Sequence, residues 1–72
     1  MDSKLKQVRT DKGYTLKSLS KKTGISSTYL NEIELGYKVN PSMEIICDLS
    51  KGLGESIETT IEIIKDIIIN NI

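Results

Sequence analysis

The stretch TLKSLSKKTGISSTYLNEIELG, residues 15–36, admits few backbone paths. Thr15 has the chemistry of a helix N-cap, a hydroxyl able to accept a bond from a free N–H in the first turn. Tyr14 before it and Leu19 after it stand at the spacing of a hydrophobic staple. A short helix over 16–23 follows, and Gly24 is its natural stop. Ser26 then repeats the N-cap, and Ile25 with Leu30 repeats the staple. A second helix runs over 26–35, with Gly36 as its stop.

Two short helices joined by a three-residue turn must satisfy several demands at once. Leu19 and Ile33 must point inward, and Ser20 must be small where the helices cross. Gly24 must accept positive φ, which a side chain resists. Ile25 and Leu30 must anchor the second helix. All of these positions comply, and the arrangement they define over 16–35 is a helix-turn-helix.

The remaining chain also reads as helix. Residues 3–12 place Leu5, Val8 and Arg9 on one side, ending at Gly13. Asn40-Pro41 predicts a further helix start, an N-cap followed by proline at the first helical position. That helix carries Met43, Ile46, Cys47, Ser50 and Leu53 and is expected to stop at Gly52 to Gly54. Residues 56–71 form the last segment. TTIEIIKDIII has high β-propensity, yet its length and its 3-and-4 spacing favour helix over strand.

Composition narrows the function classes. With 72 residues the chain is expected to be one domain with a thin stability margin. Its single cysteine allows no internal disulfide, and a structural zinc site lacks histidines or a cysteine pair. Cys47 is expected in the core, with no basic neighbour to make its thiol reactive. No run approaches the roughly 18 apolar residues of a membrane span, and MDSKLKQVR lacks the apolar centre of a signal peptide. A cytoplasmic location is therefore expected. Enzyme chemistry finds no support: there is no histidine, no glycine-rich phosphate loop and no metal-ligand spacing. No cofactor is expected, and pairs such as Glu58 and Glu62 fit a solvated face. Zero net charge conceals an asymmetry. Residues 1–40 carry eight Lys or Arg against four Asp or Glu, and residues 41–72 carry two against six. The halves can face different partners, or they can be two ordinarily solvated surfaces.

KGYTLKSLSKKTGISSTYLNEIELG followed by NPSMEIICDLSKGLG resembles the Cro/C1-type regulators of the XRE family, and within it the DNA-binding domain of SinR-type regulators. The resemblance covers residues 4 to about 61. It implies an all-α, five-helix phage-repressor-like domain that binds double-stranded DNA as a dimer, with helix 26–35 in the major groove. Carried over by position, Ser26, Ser27, Thr28 and Glu32, with Asn31 beside them, would read bases. A hydroxyl both donates and accepts, so serine and threonine suit several base edges. Ser26 also fits a plain N-cap, and the two roles are compatible. Lys6, Lys17, Lys21, Lys22 and Lys38 are candidate phosphate contacts, with ordinary solvated lysines as the alternative. Tyr29, half-buried at the helix edge, and Tyr37 could offer hydroxyls to phosphates, though Tyr37 suits loop packing equally. The resemblance further suggests that Arg9 and Glu34 pair; exposed solvated charges are the alternative. Three positions depart from the family pattern. Leu16 stands where a polar phosphate ligand is frequent, Glu32 places negative charge near DNA, and Glu55 replaces a usual apolar residue.

The isoleucine-rich tail completes the reading. Ile57, Ile61, Ile64, Ile68 and Ile72 form one helical stripe, flanked by Ile63 and Ile67. A small body would cover only its first part. An exposed stripe of that extent marks an interaction surface, so a homodimer built on Ile64, Ile67 and Ile68 is expected. The alternatives are a tail folded back as core in a monomer, or a strand-paired tail. The function expected is a repressor on a palindromic operator; the rival is a protein-interaction module of the same fold, an antitoxin or a partner-titrating protein.

Overall fold

The computed structural model describes residues 3–37 and 40–70, without the side chain of Asn70. The described residues form five helices: α1 (Lys4–Asp11), α2 (Leu16–Thr23), α3 (Ser27–Glu34), α4 (Met43–Leu53) and α5 (Ile57–Asn70). No strand occurs among the described residues, so the tail is helical despite its β-propensity. None of the described helices is long and apolar enough to cross a membrane.

Local chemistry sets the helix starts. Ser3, Thr15, Ser26 and Ser42 each accept a bond from an N–H in the first turn of the following helix. At Thr15 the device is reciprocal, because the Ser18 hydroxyl accepts from the Thr15 N–H in return. Gly24 closes α2 at φ 78°, in the left-handed region that the turn requires. The start of α4 differs from the expectation at Asn40-Pro41. Ser42 is the N-cap, accepting from the Ile45 N–H at 3.3 Å, and Pro41 lies buried just outside the helix. The serine reaches the N–H three residues on with its own hydroxyl, so the helix begins after proline rather than with it.

The core is built from Leu5, Leu19, Ile25, Leu30 and Ile33 of the first three helices and their turns, joined by Leu49 and Leu53 of α4 and by Ile63, Ile64 and Ile67 of α5. α5 lies against both α1 and α4. α4 stops within the expected Gly52 to Gly54: Gly52 sits buried in its last turn, and Gly54 is the C-cap. A side chain at Gly52 would run into the Thr23 methyl group at the end of α2. Cys47 is half-buried rather than a core residue.

The tail does not project. Ile64 is only 5% exposed and Ile67 is equally buried, within a single chain, while Ile68 packs partly against the same core. The expected wet stripe through Ile64, Ile67 and Ile68 is therefore absent. The cause is the rotation of the helix. Its buried face runs through Thr60, Ile63, Ile64 and Ile67, and Ile57 and Ile61 are left at the margin. Thr60 is fully buried because its hydroxyl donates to the Ser56 carbonyl at 2.9 Å, so no polar group is stranded. Ile72 lies outside the described residues.

Candidate nucleic-acid interface

α3 is amphipathic with a sharp division. Leu30, Ile33 and Glu34 are buried, whereas Ser27, Thr28 and Asn31 are exposed on the opposite side. The Ser26 hydroxyl accepts from the Tyr29 N–H at 3.1 Å, so Ser26 is an N-cap and remains at the surface. The first N–H groups of a helix have no acceptor within it, and they lend the end a partial positive charge. Serine, threonine and asparagine side chains thus surround an electropositive helix end.

α2 packs against α3 and contributes the second wall. Leu16 and Lys17 at its start join Ser27, Thr28 and Asn31 around one shallow, open depression. Lys21 and Lys22 are exposed near the end of α2, and Lys6 is exposed on α1. Lys6 borders an adjoining cleft together with Leu16, Asn31 and Leu35. Basic side chains of α1 and α2 therefore flank the polar face of α3. Glu32 is half-buried at the edge of that face, and Tyr29 is half-buried with its ring against the core. Tyr37 is 73% exposed, which does not fit loop packing. Lys38 lies outside the described residues.

The lining of this cleft includes a buried ion pair. The Arg9 Nε donates to Glu34 Oε2 at 2.6 Å, and Nη2 donates to Oε1 at 3.1 Å. The fork is bidentate, the geometry that gives such pairs their directionality. Nη1 donates to the Tyr14 carbonyl at 2.9 Å, at the approach to α2. One guanidinium thus ties α1, the α1–α2 turn and α3 together. Just past the same end of α1, Lys12 meets Glu55 of the α4–α5 turn at 2.8 Å, which accounts for a charge at that position. This second pair is partly solvated and adds at most about 1 kcal/mol.

A family profile described as "Helix-turn-helix" matches residues 5–59. The chain belongs to the XRE-type helix-turn-helix family. Among curated relatives, the "HTH-type transcriptional regulator SinR" of Bacillus subtilis (strain 168) is 36% identical over 59 residues, covering 82% of this chain and 53% of that protein. The regulator of the same name from Bacillus licheniformis is 38% identical over 56 residues, covering 78% of this chain and 50% of the relative. The chain thus spans about half the length of these relatives. No solved structure gives a significant match.

One residue of this XRE-type surface escaped the sequence reading. Leu35 caps the end of α3 in helical conformation and is 51% exposed. Thr28, Asn31 and Leu35 follow one another at helical spacing and so share a face. That spacing is visible in the sequence.

Proposed function

We propose that the chain is a sequence-specific, double-stranded-DNA-binding transcriptional regulator, of repressor type, that sets α3 into the major groove and works in the cytoplasm. The observation that carries this reading is the exposed Ser27–Thr28–Asn31 face of α3, held on a packed back and flanked by Lys6 and Lys17, with Lys21 and Lys22 exposed further along α2. Side chains at the start of a recognition helix contact base edges, and the flanking cations meet phosphates. The relatives named transcriptional regulators agree with it.

A single eight-residue helix reads few base pairs, too few to select a genomic site. Two copies on a palindromic operator, with their α3 helices about 34 Å apart, supply the missing discrimination. Occupancy of such a site is enough to repress. The rival, a protein-interaction module of the same fold, draws on Tyr37 and Met43, both exposed about the α3–α4 connection. Selection of genomic fragments by the purified chain, followed by footprinting, separates the two. The regulator reading expects a reproducible two-fold-symmetric footprint; recovery of no preferred fragment favours the rival.

A further inference from the structure

Two apolar side chains stand where the proposed reading face should need only polar ones. Leu16 borders the depression that holds Ser27, Thr28 and Asn31. Leu16, Asn31 and Leu35 then border the adjoining cleft with Lys6. Asn31 thus shares one cleft with both leucines, and Ser3, Arg9 and Glu34 complete its lining. A single exposed leucine is ordinary on a protein surface. Leu35 at the end of α3, half-exposed, and Leu16 at the start of α2, half-buried against the core, share a cleft with one amide and constrain what can be bound.

The major groove offers one apolar group among its base edges, the thymine 5-methyl. An asparagine amide pairs best with adenine, donating to N7 and accepting from N6. An A·T pair presents both features, and consecutive A·T pairs present methyls on either side of an adenine edge. We propose that Leu35 and Leu16 are specificity-determining residues that receive thymine methyl groups next to an adenine read by Asn31. The preferred half-site then contains adjacent A·T pairs. This inference rests on the DNA-reading function proposed above.

The test starts from sites selected out of random duplex DNA by the 72-residue chain. Each thymine of the selected half-site is replaced in turn by deoxyuridine, which keeps the O4 acceptor and loses only the methyl. At the contacted positions, affinity should fall about fourfold per methyl, the ratio that burying one such group corresponds to. Leu35→Ala should abolish that preference for thymine at one position or more. Leu35 is half-exposed, so the variant should keep its fold, checked by thermal unfolding. Selected sites without adjacent A·T pairs, or equal affinity for thymine and deoxyuridine, overturn the inference and leave the regulator reading standing. So does a Leu35→Ala variant that weakens both DNAs by the same factor. Enrichment of no sequence overturns both readings.

Discussion

The first three helices and the last two hold their places by different means. α1, α2 and α3 are eight residues each, below the length at which isolated helices persist. Serine caps open helices in both halves, but among the described residues only these three are tied to one another by a buried directed fork, Arg9 reaching Glu34 and the Tyr14 carbonyl. α4 and α5 run for 11 and 14 residues, and α5 buries Ile63, Ile64 and Ile67. Apolar burial is strong but non-directional. Directed bonds instead specify angles, and the exposed face proposed to read DNA is on the half that the Arg9 fork ties together. The contrast suggests that one half sets orientation while the other supplies cohesion.

The largest expected effect lies in the directed half. Removing Arg9 or Glu34 alone strands a buried charge and should cost about 3–5 kcal/mol. The double change Arg9→Met with Glu34→Leu should cost less than the two single changes together. Urea unfolding of all four proteins measures the coupling, and simple additivity would falsify the cooperative role given to the pair. Next comes the cohesive half. Ile67→Ala should lose about 2–5 kcal/mol, whereas Ile69→Ala, at a position 69% exposed, should stay within about 0.5 kcal/mol. Equal losses at the two positions would mean that α5 is not seated as described.

These residues also show how far the sequence alone could lead. The helix-turn-helix was legible because its signals are local: a cap, a staple and a positive-φ glycine lie within a few residues of one another. The rotation of α5 was not. Counting isoleucines puts the stripe through Ile57 and Ile61, but the core accepts Thr60, whose hydroxyl is satisfied inside its own helix. Hydropathy treats that threonine as polar and misplaces the face by a fraction of a turn. The start of α4 was misread for a related reason: Asn40, Pro41 and Ser42 are all good starters, and only packing selects among them. Of the proposed interface, the polar positions on α3 were legible, and Leu35 was not, because an apolar residue is read as core by default.

Smaller effects sharpen the comparison further. Ser26→Ala removes the cap that begins α3 and should cost about 1 kcal/mol in thermal unfolding. A loss of affinity for DNA larger than that would indicate that the hydroxyl also touches a base. Lys21→Ala should leave stability within about 0.5 kcal/mol. If the lysine meets a phosphate, log K against log salt should become shallower by about one per contact removed, from about −5 to −7 for a dimer making three to four such contacts per subunit. An unchanged slope would remove Lys21 from the contact set.

The contact between Gly52 and Thr23 has a genetic consequence. Thr23 is pinned, donating to the Leu19 carbonyl and holding the Ile25 N–H in return, so it cannot swing aside for a new side chain. A methyl group at position 52 must then push the end of α2 outward from α4. Such an allele touches no proposed DNA contact, yet it displaces the whole reading unit. Its expected phenotype is conditional: regulation retained in the cold and lost at elevated temperature, with suppressors arising at Thr23 among smaller residues. A screen for temperature-sensitive alleles should therefore return position 52, although it borders none of the proposed DNA contacts.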